Sequence, residues 1–269
     1  NTVEPDAEAA AYIQTITEKF DALQKKVVAK TTVTLTTKGA DGKRAVRSAE
    51  TNLGDLCADA YRLLLGADVA FVNGGGVRAD INAGDITYGD IINVHPFGNS
   101  ACLVEVTGQQ LKDALELGSA AYPGESGGFL QVSGLTYTIN ADIPSSVVKN
   151  DKSEFVKVDG AYRVSDIMVG GQPLDVNKTY TLASHNYMLK DAGDGYTMFG
   201  TKNVKVLQDE VMIDNQVLIN YIVEKLGGVV GAEYAAPQGR ITIKTAPVVE
   251  PQPEPKPEPT PAPTGDTYT

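Results

Sequence analysis

No tryptophan occurs in the 269 residues, and there are only two cysteines and two histidines. Cys57 and Cys102 sit in apolar surroundings without C-x-x-C spacing, so they read as buried free thiols rather than a disulfide or a metal pair. His95 and His185 are far apart in sequence and lack H-x-H or H-E-x-x-H spacing, so no catalytic metal site is expected from this chain. No run approaches the ~20 apolar residues of a membrane span. Basic residues are in deficit, 23 Lys and Arg against 34 Asp and Glu, for a formal charge of −11. That balance argues against a general nucleic-acid or anionic-membrane surface, because backbone phosphates reward clustered cations. Any anionic ligand must be met by a few local arginines. No nucleophilic serine stands out either: Ser133 and Ser184 lack G-x-S-x-G context, and the neighbours Ser184 and His185 point to opposite faces of a strand.

What remains is the make-up of a globular domain with alternating helix and strand patterns. Ala9, Ile13, Ile16, Phe20, Leu23 and Val27 paint an apolar stripe whose expected role is packing, with Asp6 as N-cap. Val27 to Thr37 is β-branched and alternating, which predicts a strand. Thr51 to Leu65 predicts a helix running into the apolar strand Asp68 to Val72, and the turn Asn73-Gly74-Gly75-Gly76-Val77-Arg78 follows at that strand's C-terminal end. Thr87 with Asp90 resembles a capping box opening a short helix ended by Pro96. Further expectations are a strand Ala101 to Val106, a helix Gln109 to Leu117 capped by Thr107, and a strand Phe129 to Ile139. A hairpin through Gly170-Gly171, a strand Thr179 to Ser184, a helix Val217 to Leu226 ending at Gly227-Gly228 and a strand Arg240 to Lys244 complete the domain. From residue 246 to 269 proline alternates with Glu, Lys, Thr and Ala, the composition of an extended, disordered spacer.

Four segments carry features that packing leaves partly unexplained. Arg47 lies just ahead of a helix N-terminus, where a cation opposes the macrodipole. The glycines of residues 73–78 let backbone amides approach a ligand while Arg78 supplies charge, although a tight structural turn explains them equally well. In His95-Pro96-Phe97-Gly98-Asn99 an aromatic sits beside an amide. In residues 185–196, Tyr187 precedes a glycine turn carrying Asp194. Phe97 and Tyr187 together could clamp a planar base, with Asp194 accepting a hydrogen bond from a hydroxyl or amine.

In these segments the chain resembles the C-terminal substrate-binding domain of the 5'-nucleotidase family, which includes UDP-sugar hydrolases, 2',3'-cyclic nucleotide phosphodiesterases and ecto-5'-nucleotidase. The resemblance rests on ETNLGDL (50–56), NGGGVRADI (73–81), GDITYGDI (84–91), PFGN (96–99), GGFLQVSGL (127–135) and AGDGY (192–196), in the family's order. It implies that Phe97 and Tyr187 stack on the two faces of a nucleobase. It also implies that Arg78 and Arg47 contact the phosphate or sugar side, and that Asn73, Asn99, Gly127 and Asp194 make polar contacts. Tyr187 stands where phenylalanine is common and Ala192 replaces the first glycine of GGDGY. His95 and His185 flank the clamp and match no ligand position of the family, so each reads as a packed or rim imidazole.

The fold expectation is α+β, a mixed sheet packed with helices, in three parts: a connector helix in residues 1–30, a nucleotide-binding domain in 31–245, and the spacer in 246–269. The resemblance further implies a metallophosphatase domain N-terminal to this one, holding two divalent metal ions and performing hydrolysis, with no cofactor, metal or catalytic residue in this chain. The expected ligand is a nucleotide or nucleoside, and the expected location is extracellular or the bacterial cell wall. Two alternatives stay open: the same domain of a UDP-sugar or 2',3'-cyclic nucleotide hydrolase, and a non-catalytic surface interaction module.

Overall fold

A computed structural model describes residues 6–245. Along it lie α1 (Ala7–Gln24), β1 (Val27–Thr31), α2 (Asn52–Leu65), β2 (Val69–Asn73), β3 (Gly84–Thr87), α3 (Tyr88–Val94), β4 (Ala101–Thr107), α4 (Gly108–Ser119), β5 (Leu130–Ser133) and β6 (Leu135–Asn140). The second half adds β7 (Val147–Lys149), β8 (Phe155–Val158), β9 (Val164–Val169), β10 (Gln172–Pro173), β11 (Thr179–His185), α5 (Asn186–Leu189), β12 (Lys205–Gln208), α6 (Asp214–Asn220), β13 (Val229–Val230) and β14 (Ile241–Lys244). The spacer lies outside the described residues.

The fold is α+β, built around a mixed five-stranded sheet of order β12-β4-β11-β2-β5. Within it β11 and β2 run parallel, while the β12–β4, β4–β11 and β2–β5 pairs are antiparallel. Strand β2 is buried along its whole length because both of its faces are covered. Since successive side chains alternate, Ala70 and Val72 of β2 join a core with Leu53, Leu56 and Cys57 of α2 and Val217 and Leu218 of α6. Val69 and Phe71 face the opposite way, onto Leu111 and Leu115 of α4. Cys57 and Cys102 are buried and unpaired by disulfide.

Local chemistry starts four helices where the sequence predicts. Asp6 accepts from the Ala9 N–H, Thr51 from Gly54, and both Thr87/Asp90 and Thr107/Gln110 form reciprocal capping boxes. Four expectations change. The strand expected over Val27 to Thr37 ends at Thr31, after which Leu35 makes only an isolated bridge to Ile81. The single strand expected over Phe129 to Ile139 is two: Gly134 (φ 79°) breaks it, sending β5 into the central sheet and β6 into a second sheet of order β10-β9-β6-β14. A Cβ at Gly134 would lie 2.1 Å from the Asp68 carbonyl oxygen, so only glycine permits that bend. The helix expected over Val217 to Leu226 starts earlier, at Asp214, and widens to π geometry over Tyr221–Lys225 before Gly227 and Gly228 end it.

The fourth change concerns α1. No residue of α1 is buried, and Ile13, Ile16, Phe20 and Leu23 are all exposed. The stripe is there, but nothing among the described residues covers it. The helix meets the domain only around its C-terminal end, where the Tyr88 N–H donates to the Lys26 carbonyl at 2.8 Å. Strand β1 begins at Val27, ahead of the boundary set at residue 31.

Candidate nucleoside cleft

The parallel neighbours β2 and β11 end side by side in Asn73 and His185, and both chains then turn into short helical segments. Crevices form at such strand ends because the following loops diverge. Here the crevice has a volume of about 390 Å³ and is lined by Arg47, Asn73, Gly75, Gly76, Phe97, Asn99, Gly127, His185, Tyr187 and Asp194. That volume is within the range of roughly 300–1,000 Å³ usual for small-molecule sites.

Phe97, in the loop after α3, and Tyr187, on the short helix α5, line this space and stay 60% and 39% exposed. Single exposed rings are common, but two lining one crevice form an apolar patch of the kind that marks a ligand-binding groove. Tyr187 is held at its base: a Cβ on Gly193 would lie 2.4 Å from the Tyr187 Cζ, so the ring lies flat against the Gly193 backbone. Its hydroxyl accepts the Asp194 N–H and donates to Asp194 Oδ1, both at 3.0 Å. Asp194 adopts φ 55°, and its Oδ2 accepts from Asn73 Nδ2 at 2.6 Å. Asn99 is pinned to the start of α6, its N–H donating to Asp214 Oδ2 at 3.0 Å and its carbonyl accepting the Asp214 N–H at 2.8 Å.

Arg47 is fixed through its backbone, its carbonyl accepting the Ser126 N–H at 2.9 Å. Its guanidinium is pulled below the usual arginine range by partial burial and by the charges of Arg44 and Arg78. Three arginines thus gather at one place in an acidic chain. Arg44 is neutralised by a two-pronged pair with Glu125, whereas among the described residues Arg47 and Arg78 have no ion-pair partner. Arg78 does not line the cleft itself; it is exposed, with its guanidinium carbon 5.9 Å from the centre of the Phe97 ring, within cation–π range.

Of the two readings of the glycine turn, a ligand cradle or a tight structural turn, the bonds at Gly74 and Gly75 fit the structural one. The Gly74 and Gly75 N–H groups donate to Phe129 and Gly127 carbonyls at 2.6 and 2.8 Å. A Cβ on Gly74 would sit 2.1 Å from the Val46 carbonyl oxygen. These glycines therefore let three backbone segments close together, which brings Arg47, Asn73 and Gly127 to one wall.

His185 lines the cleft and is 3% exposed, a placement that composition and spacing could not distinguish from a rim position. Burial, with the nearby charge of His95, pushes its imidazole down to about 3. His95 is also buried and lowered by burial, its Nδ1 3.1 Å from the Gly76 carbonyl, while burial raises the Asp214 carboxyl beside it. Ser184 donates to the Phe71 carbonyl at 2.6 Å and takes no part in the cleft. The described residues hold no cluster of three or more His, Cys, Asp or Glu arranged for a metal ion. The cleft offers one carboxylate, already bonded to Asn73 and Tyr187, which does not suit the two divalent ions of a phosphatase centre.

A profile described as "5'-nucleotidase, C-terminal domain" matches residues 27–201. The chain is 34% identical over 206 residues to the trifunctional nucleotide phosphoesterase protein YfkN of Bacillus subtilis, covering 73% of this chain and 13% of that protein. It is 35% identical over 210 residues to the 5'-nucleotidase of Vibrio parahaemolyticus, covering 76% of this chain and 32% of the relative. Among solved structures, a 5'-nucleotidase precursor from Thermus thermophilus superposes with a TM-score of 0.65 at 30% identity, over 90% of this chain and 44% of the other. The chain thus spans less than half the length of these relatives, and the match over residues 27–201 together with the fold assigns it to the 5'-nucleotidase family, within that family's C-terminal domain.

Proposed function

We propose that this chain is the substrate-specificity part of a secreted or cell-wall 5'-nucleotidase, binding the nucleoside portion of a nucleoside 5'-monophosphate. Hydrolysis would belong to a metal-dependent domain in the additional length that the relatives possess. The observation that carries the reading is that Phe97, from the loop after α3, and Tyr187, from α5, line one cleft together with Asn73, Asn99, Asp194 and Arg47. Two aromatic faces suit a flat heterocycle, with base stacking worth ~1–3 kcal/mol in nucleic-acid complexes. The carboxylate and amides suit the polar edges of base and sugar, and Arg47 and Arg78 suit a phosphate.

In this reading the apolar stripe of α1 packs against the phosphatase domain, making the helix a connector. The domain begins at or near Val27, where both β1 and the family match start. The Bacillus relative is named a trifunctional nucleotide phosphoesterase; for the whole protein here, UDP-sugar and 2',3'-cyclic nucleotide hydrolysis are the competing activities. Phosphate release from AMP, UDP-glucose and 2',3'-cyclic AMP, measured on a protein carrying this chain with its preceding domain and a divalent metal, tests the choice. AMP is expected to be preferred; preference for either other substrate overturns the ranking.

A further inference from the structure

Asp194 and His185 never touch, yet a single amide links them. Asn73 Nδ2 donates to Asp194 Oδ2 at 2.6 Å, while Asn73 Oδ1 lies 3.1 Å from His185 Nε2. A carboxylate only accepts, so the amide must turn its NH2 toward Asp194 and its oxygen toward the imidazole. His185 Nε2 must then carry the proton. Nδ1 is left bare, and it is a buried atom with no hydrogen-bond partner among the described residues. A second proton there would be an unpaired buried charge, so the ring is fixed as the neutral Nε2–H tautomer.

The surroundings hold this arrangement rigidly. A Cβ on Gly76 would lie 2.7 Å from Asn73 Oδ1, so that glycine makes room for the amide. The His185 ring is wedged between Tyr61, edge-on at 6.2 Å, and Tyr187 at 6.0 Å. Asp194 is therefore gripped from two sides, by Tyr187 at Oδ1 and by the Asn73 amide at Oδ2.

From this geometry we infer that His185 is a positioning residue for ligand specificity: its Nε2–H sets the Asn73 amide, which sets the Asp194 carboxylate as acceptor for a 2'- or 3'-hydroxyl donor of the bound nucleoside. The inference rests on the nucleoside reading above. Without the Nε2–H the amide loses its anchor and can rotate, and the carboxylate loses one of its two fixed directions. The ring faces of Phe97 and Tyr187 take no hydrogen bond of the relay, so stacking is expected to respond less than the hydroxyl contact.

Titration calorimetry with adenosine and 2',3'-dideoxyadenosine separates these contributions. His185→Leu is expected to weaken adenosine about three- to tenfold, the value of one hydrogen bond, and to weaken dideoxyadenosine by a clearly smaller factor. His185→Gln, which keeps a side-chain N–H, is expected to recover most of the adenosine affinity. Equal losses for both ligands, or no loss, overturn the positioning role. Failure of the unaltered chain to bind adenosine instead overturns the nucleoside reading, a distinct result. Long-range 1H–15N NMR of the unaltered chain supplies a check that needs no variant: an Nε2–H tautomer supports the relay, and an Nδ1–H tautomer contradicts it.

Discussion

The Tyr187 hydroxyl and Asp194 exchange two hydrogen bonds across one glycine turn, the hydroxyl accepting the Asp194 N–H and donating to its carboxylate, each at 3.0 Å. One side chain thereby offers a stacking face and also fixes the cleft's acceptor. Tyr187→Phe keeps the face and removes the clasp, so stability is expected to fall by about 0.5–1.5 kcal/mol in urea titrations. Gly193→Ala is expected to be worse for binding, because the new methyl group would occupy the position of the Tyr187 ring. Calorimetric affinity for adenosine at or above that of the unaltered chain would contradict that packing.

Ala192 adopts φ 53°, in the left-handed region where a Cβ is penalised. Glycine avoids the penalty at some cost in unfolded-state entropy, so Ala192→Gly is expected to stabilise the chain by on the order of 1 kcal/mol. A lowered melting temperature would show that the turn is not strained there.

Asp55 lies fully buried on α2, where burial pushes its carboxyl up to about 8; Arg240 pulls it down and the neighbouring Glu50 pushes it up. The Arg240 contact is long, 3.7 Å, because that guanidinium pairs at 2.7 Å with Asp59. Unfolded, the same carboxyl ionises near ~3.9. Between these values the folded chain holds a proton that the unfolded chain has lost, so Asp55's contribution is complete below about pH 4 and is lost as pH rises through about 8. Asp55→Asn keeps an acceptor for the Gln238 N–H and cannot ionise. Its urea midpoint is expected to decline less than that of the unaltered chain between pH 5 and pH 8; parallel declines would mean that Asp55 is already ionised when folded.

Helix α1 gives the opposite kind of expectation. Ile13→Ser and Ile16→Ser remove apolar side chains that touch no core, so each is expected to change the stability of this chain by less than about 0.5 kcal/mol. A drop of several degrees in the melting temperature would reveal an unseen partner for that face, such as a second copy of the chain.

Four helix starts were legible in the sequence because capping is local: Asp6, Thr51, Thr87 with Asp90 and Thr107 with Gln110 satisfy amides within three residues; the start of α6, which has no side-chain cap, was not. The break at Gly134 was not, since it depends on the Asp68 carbonyl from another strand. The α1 stripe shows why amphipathicity falls short of a packing assignment: it states that a face needs cover without naming what covers it. In the cleft, motif order brought forward Asn73, Phe97, Asn99, Tyr187 and Asp194. The part of His185 was hidden, because whether an imidazole sits on a rim or behind an asparagine is decided by two strands lying side by side. The glycine turn's amides were likewise spoken for by Gly127 and Phe129, partners more than fifty residues away.

The paired rings are tested most directly by titration calorimetry of adenosine against the unaltered chain, Phe97→Ala and Tyr187→Ala. Each truncation is expected to weaken binding by ~1–3 kcal/mol, about five- to a hundredfold, with Arg78→Ala weakening AMP more than adenosine. Adenosine affinity equal in all three proteins would contradict the clamp of Phe97 and Tyr187 around a nucleobase.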